Sequence, residues 1–301
     1  MMHSRPLLGG IELGGTKCVC LIGTGPDDIR TRISVPTGSD PDATLCHVEE
    51  ALRNGMSIHG PIQALGIASF GPIDLAPSSA TYGNITSTAK PGWRNTPVAV
   101  RLARAFKVPI GFDTDVAGAA LAEGRWGAAK GMNDFAYVTV GTGIGVGLVV
   151  GGRPACGFAH SELGHIRIAR KTGDTFAGAC VFHGDCVEGL ASGVAIAARV
   201  GVPADRVSAG DPVWELVAHS LAQLLHTLVL ATAPIRILVG GGVAEARPEL
   251  LPRMRTLLVE SLNGYLDLER LTGGIDGYVV APGLGSLAGP LGALAVAADA
   301  I

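Results

Sequence analysis

Two stretches of the chain repeat one pattern of hydrophobic and polar positions. LLGGIELGGTKCVCLIG (7–23) and FAYVTVGTGIGVGLVVGGR (135–153) each run small and apolar residues into a glycine turn and out again. Small and β-branched residues flanking such a turn predict a β-hairpin in each. The hairpins centre on Gly15-Thr16 and Gly141-Thr142, too far apart for a solenoid repeat, and predict two similar α/β halves. Between them, QALGIASFG (63–71) reads as a strand, ATYGNITSTAKPGWRNTP (80–97) as a polar loop and Val98–Phe106 as a helix. VPIGFDTDV (108–116) reads as a buried strand ending in acids, with Asp113 and Asp115 on one face. An alanine-rich helix follows near 116–124.

In the second half, 212–233 has helical periodicity, and PIRILVGGGVAEARPELLPRM (234–254) reads as strand, triple-glycine turn and helix start. Strands separated by helical segments predict α/β architecture. The expected boundary falls near 117. A first domain (1–117) would be rejoined by a C-terminal helix (287–301), and the second would span 118–286.

Composition narrows the class. The chain has 301 residues, 48% hydrophobic and 16% charged, with a net charge of −3 and no basic run. No nucleic-acid partner is therefore expected. The stretch 281–298 is uncharged, but Pro282, Pro290 and four glycines break it, leaving an apolar helix over 287–298 too short to span a bilayer. The N-terminus lacks a secretory apolar run. These features predict a cytoplasmic protein with no membrane partner, whose six cysteines form no disulfide framework.

Glycine turns let backbone N–H groups crowd around phosphate oxygens. Three occur here: Gly14-Gly15-Thr16-Lys17, Gly141-Thr142-Gly143 and Gly240-Gly241-Gly242. Each alone could be a plain turn; together they favour a nucleotide polyphosphate. Thr16-Lys17 stand in reversed order for a Walker A loop. The alternating Gly141, Gly143, Gly145 and Gly147 sit in a hairpin rather than a strand–helix turn, which excludes the dinucleotide motif.

A twice-repeated hairpin phosphate loop plus a third glycine turn resembles the sugar kinase, heat-shock protein and actin superfamily. Within it, GIELGGTK, FDTDVAGAALAE, SELGH, GDCVEG and LVGGGV resemble the ROK family (repressors, open reading frames, sugar kinases). GNITSTAKPGWRNTPV and the Cys-x2-His-x2-Cys segment are most similar to its fructokinase branch. The resemblance runs from about Gly9 to Gly292. It implies two RNase H-like (actin/hexokinase-type) domains with an interdomain active-site cleft for ATP and a sugar. The expected reaction is ATP-dependent phosphorylation of a hexose, D-fructose to fructose 6-phosphate first, with Mg2+ accompanying ATP. Mannose, glucose or an N-acetylated hexosamine are alternatives. Relatives imply a homodimer.

Phosphoryl transfer to a sugar hydroxyl needs a carboxylate to take the proton. An acid at a strand end can equally be a helix cap; the family pattern makes Asp115 the general base. By the same resemblance Glu162, His165 and Glu188 hold sugar hydroxyls, with Asn84 and Thr86 as further candidates. Ala117 stands where relatives usually carry Asn, and Glu12 where many carry Asp. Two cysteines and a histidine, Cys180, His183 and Cys186, supply three of the four ligands of a tetrahedral zinc site. His165 upstream would be the fourth, although the third cysteine common in relatives is a histidine here. A loop without metal is the alternative. The family also contains sugar-sensing repressors with an N-terminal helix-turn-helix. Only eight residues precede Gly9 and they show no helical pattern, so an enzyme is expected rather than a regulator.

Overall fold

The computed structural model describes residues 5–268 and 274–301. The chain forms two units. The first runs to Gly127 and takes in Pro154–His160 and Leu287–Ile301; the second comprises Ala128–Arg153 and Ser161–Ser286.

In the first unit, β1 (Leu8–Leu13), β2 (Lys17–Gly25) and β3 (Asp28–Pro36) form an antiparallel meander. β4 (Ala64–Ser69) and β5 (Ile110–Thr114) add in parallel on the other side of β1, giving the order β3-β2-β1-β4-β5. β4 is buried at every position, as expected of a parallel strand covered on both faces. One cover is α1 (Pro41–His59), whose Leu45, Val48 and Leu52 join Ile11, Cys20, Ile22 and Ile67 in the core. α1 starts where Asp40 accepts from Asp42 N (2.9 Å) and Ala43 N (3.2 Å), with Pro41 in the first turn, a standard N-terminal signal. The remaining helices of this unit are α2 (Val98–Phe106), α3 (Asp115–Trp126) and the C-terminal helix (Ala288–Ala298).

Glycines set how closely that last helix approaches. A Cβ on Gly66 of β4 would lie 1.9 Å from Ala293 O and 2.4 Å from Ala297 N, and one on Gly111 of β5 would lie 2.2 Å from Val296 O. The helix backbone therefore lies directly on the strands. α3 crosses it just as tightly, since a Cβ on Gly292 would lie 2.4 Å from the Gly118 carbonyl carbon.

Two expectations need correction. The break expected at 117 falls inside α3, and unit 1 continues to Gly127. Asp115 is not on the β5 strand beside Asp113; it is the first residue of α3.

The second unit repeats the topology. β6 (Phe135–Val140) and β7 (Ile144–Val150) form the second hairpin, and β9 (Arg236–Gly240) adds in parallel to β6. With β8 (Arg153–Pro154) and β10 (Val279–Val280) the order is β8-β7-β6-β9-β10, matching the first sheet strand for strand. Its helices are α4 (Val187–Ala191), α5 (Gly193–Val200), α6 (Val213–Thr232), α7 (Gly242–Ala246) and α8 (Leu250–Leu262), besides the short Ile275–Tyr278. Among the described residues only α6 is long and apolar enough to cross a membrane. Its Val217, Leu221, Leu224, Leu225 and Leu228 are buried, as in the core helix of a globular unit.

Gly66→Ala should lower stability by about 3 kcal/mol, because two fixed backbones would have to part. Gly15→Ala, where a Cβ meets nothing within 4 Å, should change it by less than ~0.5 kcal/mol. Chemical denaturation of the two variants checks the contrast.

Candidate active site

In the first unit the glycine turn lies between β1 and β2. Gly14 N donates to Lys17 O at 3.1 Å, leaving Gly15, Thr16 and Lys17 exposed. The turn is held from beneath by Thr37: its Oγ1 donates to Gly14 O (2.8 Å) and its N–H to Thr16 O (2.9 Å). Lys90 Nζ donates to Thr37 O at 3.1 Å, tying in the polar loop.

At the β5–α3 junction, Thr114 caps the helix by accepting from Ala117 N at 3.1 Å. Asp115 follows, half-buried, its Oδ1 accepting from Val116 N at 2.9 Å. Its carboxylate thus sits among the N–H groups of a first helical turn, a favourable place for negative charge. Asp113 behind it accepts from Thr114 N (2.7 Å). Burial pushes its carboxyl up to about 6, opposed by that bond and by nearby His160. His160 Nε2 in turn accepts from Ile73 N at 3.0 Å. His160 immediately precedes SELGH in the sequence but belongs to no motif of its own.

Of the two polar-loop candidates, Thr86 gives both its backbone N–H (2.7 Å) and its hydroxyl (3.0 Å) to Pro72 O. Asn84 is bound into the same loop through its carbonyl, which accepts from Asp74 N at 2.9 Å.

In the second unit three sequence-distant segments meet. The β6–β7 turn closes by Gly141 N donating to Gly143 O (2.9 Å), and Gly193 N donates to Gly141 O (2.7 Å). Gly242 opens α7 with its N 4.0 Å from the position of a Gly141 Cβ. Gly241 has φ +91°, and any Cβ there would strike Thr139 Oγ1 and Val140 N at 2.6 Å. Gly240 differs from its neighbours. It ends β9, buried, where a Cβ would come within 2.5 Å of Pro282 and 3.1 Å of the Tyr137 hydroxyl.

These turns border a cavity of about 370 Å³ that includes Gly141, Thr142, Gly193, Val194, Trp214, Gly242, Val243 and Arg247. Its apolar walls come from irregular segments and single helix positions, which carry no sequence motif.

Glu162, His165 and Glu188 converge. Glu188 Oε2 accepts from Ile144 N (3.1 Å), and a Cβ on Gly143 would come within 2.6 Å of the same oxygen. His165 Nε2 lies 3.9 Å from Glu188 Oε1. Burial raises the Glu162 carboxyl, an effect the neighbouring His165 opposes and the Glu188 charge reinforces.

The other edge of the same imidazole faces sulfur. His165 Nδ1 is 3.6 Å from Cys180 Sγ and 3.5 Å from Cys186 Sγ, and His183 Nδ1 is 3.7 Å from Cys180 Sγ. One donor atom from each of the four residues lies within 4.8 Å of every other. Zinc with Zn–S ≈ 2.3 Å and Zn–N ≈ 2.0–2.1 Å in a tetrahedron requires N···S edges of about 3.5 Å. The donor set therefore fits the ion in type and number, and three of its N···S edges are close to the required length. Without metal, burial pushes the Cys186 thiol up to about 11.

Comparison with known proteins follows the same lines. The chain matches the ROK family over residues 8–300. The chain belongs to the ROK family. A Bacillus subtilis protein named provisionally as a fructokinase is 44% identical over 98% of this chain and 96% of its own. The fructokinase of Pediococcus pentosaceus is 39% identical over 98% and 99%. The crystal structure of the ROK hexokinase from Thermus thermophilus superposes with a TM-score of 0.78 at 28% identity, covering 97% of this chain and 98% of that one. The paired sheets described above are thus the two domains of the actin-like ROK architecture.

Asp113 carries a sign-definite pH effect. Its folded value of about 6 lies above the ordinary 3.8, so between these pH values the folded state keeps a proton that the unfolded chain releases. Its contribution to stability therefore falls as pH rises through that window. Asp113→Asn, which retains the acceptor for Thr114 N, should remove this decline and stabilise the protein at pH 7.5 by on the order of 1–2 kcal/mol. Tm measured from pH 4 to 8 for both proteins checks it.

Proposed function

We propose that this protein is an ATP-dependent hexose kinase that converts D-fructose to fructose 6-phosphate. The observation that carries the reading is full-length similarity to fructokinases at 39–44% identity, on a chain with an acid at the β5–α3 junction and glycine turns in both units.

In this reading Asp115 accepts the proton of the sugar 6-hydroxyl as its oxygen attacks the γ-phosphorus, and ADP leaves. Mg-ATP is the co-substrate. The turns at Gly14, Gly15, Thr16 and Lys17, at Gly141, Thr142 and Gly143, and at Gly241 and Gly242 bind its phosphates through backbone N–H groups, with Gly240 setting the last turn's position. The apolar cavity of the second unit takes the adenine base, which needs a flat, mostly dry pocket opening onto the phosphate turns.

Glu162, His165 and Glu188 hold sugar hydroxyls, with Asn84 and Thr86 contributing from the polar loop. Thr86 does so as an acceptor, its hydrogen being given to Pro72. His165, Cys180, His183 and Cys186 would hold a structural Zn2+. Four protein ligands leave no open position, so zinc orders the loop and takes no part in phosphoryl transfer. The enzyme works in the cytoplasm as a homodimer, where free thiols such as Cys18 and Cys46 stay reduced.

A coupled ADP-release assay over fructose, mannose, glucose and N-acetylated hexosamines should give the highest kcat/KM with fructose; no turnover on any hexose would overturn the reading. Asp115→Asn should keep sugar affinity and lose kcat by ~10²-fold or more. Near-wild-type turnover would remove Asp115 as the base.

Protein purified without chelator should contain one zinc per chain. Cys180→Ser should lose the metal, lower Tm and raise the KM for sugar, because His165 would no longer be fixed beside Glu188. Elemental analysis and melting curves read the first two effects without relying on activity.

A further inference from the structure

Thr37, just past the end of β3, is buried and has every polar group engaged. Its N–H donates to Thr16 O (2.9 Å), its hydroxyl donates to Gly14 O (2.8 Å) and its carbonyl accepts from Lys90 Nζ (3.1 Å). With its own hydrogen given to Gly14, Thr37 Oγ1 accepts from Cys18 Sγ at 3.2 Å. Burial pushes the Cys18 thiol up, which keeps the hydrogen of that bond in place. Four segments of the first unit thus meet on one side chain and its peptide groups.

These bonds decide which way the donors of the glycine turn point. In a planar trans peptide the C=O and the N–H of the next residue are antiparallel. Pinning Gly14 O toward Thr37 therefore turns the Gly15 N–H away from it, and pinning Thr16 O does the same for the Lys17 N–H. Gly15 and Lys17 both lie on the exposed side of the turn. Glycine does not fix such peptide planes by itself, because it has more backbone freedom than any other residue. Packing does not hold Gly15 either, since a Cβ there would meet nothing within 4 Å. Thr37 supplies the constraint that the turn lacks.

We propose that Thr37 is a positioning residue for phosphoryl transfer: it aims the Gly15 and Lys17 N–H groups at the phosphates of the nucleotide, and Lys90 holds it in place from the polar loop. This deepens the reading of the turn as a phosphate site and rests on it. Donors fixed before the nucleotide arrives need no reorganisation as charge develops, which is what makes such groups effective.

Two substitutions separate this role from packing. Thr37→Val keeps the shape of the side chain and removes the hydroxyl, whereas Thr37→Ser keeps the hydroxyl and removes the methyl group. With sugar saturating, Thr37→Val should lower kcat/KM for ATP roughly tenfold or more. Its KM for sugar should stay within about twofold of the wild type, and Thr37→Ser should stay within about threefold in both constants. A residue needed only for packing would give the opposite order, because Val fills the site as Thr does and Ser does not. Lys90→Met leaves Thr37 itself intact and tests the same chain of contacts should Thr37→Val fail to fold. It should raise the KM for ATP roughly threefold or more.

The proposal is overturned if Thr37→Val keeps the wild-type kcat/KM for ATP, or if Thr37→Ser is the more damaged of the two. Where Thr37→Val does not fold, an unchanged KM for ATP in Lys90→Met overturns it. Calorimetry of the wild type with ADP, fructose being present, separates the two levels. Absence of binding would remove the nucleotide reading itself, whereas tight binding with an unaffected Thr37→Val would remove only the role of Thr37.

Discussion

The first unit depends on backbone packing directly against backbone. Gly66 and Gly111 present no Cβ to the C-terminal helix, and Gly118 and Gly292 let α3 cross it at the same close range. Dispersion and apolar burial reward such close approach only when nothing projects between the chains. The arrangement aligns the ends of β4 and β5 and fixes the start of α3. Asp115 therefore inherits its position from residues more than a hundred places away in sequence. A flexible loop would give the same carboxylate no defined line of approach to a hydroxyl, and orientation of that kind is a large part of what an active site contributes.

In the second unit the corresponding device is polar. Glu188 accepts from the Ile144 N–H at the end of the β6–β7 turn, while its other oxygen faces His165. The opposite edge of that imidazole faces Cys180 and Cys186. One ring thus joins the sulfur cluster to the glutamate, and the glutamate joins that assembly to the glycine turn. If zinc occupies the cluster as proposed, the metal sets the ring's orientation and leaves Nε2 toward the carboxylate. This is the usual division of labour between a ligand histidine and its outer partner. It also accounts for Gly143, since any side chain there would displace the Glu188 carboxylate.

The two hairpins, α2, α6 and the strand–glycine–helix at β9 were legible because each carries a local signal: a period, a cap or a glycine turn. β3 was not, being an edge strand with mostly exposed positions that show no clean alternation. α1 has a clear start signal at Asp40-Pro41 but carries no chemical motif. Asp115 was recognised as chemically important but assigned to the wrong element. The period of a strand extends on paper past Thr114, whereas the cap at Thr114 turns the chain into a helix. Gly240 was grouped with its two neighbours, although only packing against Pro282 and Tyr137 distinguishes it. The cavity beside Trp214 and Arg247 had no sequence signature, because apolar residues lining a pocket look like core residues in one dimension.

The sequence by itself determined the residue chemistry and the local geometry. Glycine pairs turn hairpins, Asp40 and Thr114 start helices, and a short spacing brings Cys180, His183 and Cys186 together. These depend on interactions within a few residues, which composition and order specify directly. Only the tertiary structure decided which of them cooperate. It brought Gly193 to Gly141, turned His165 between sulfur and carboxylate, and laid Arg247 against the Trp214 ring. Those outcomes depend on distances between segments far apart in the chain, and packing to ångström tolerance, which no local pattern encodes, sets those distances.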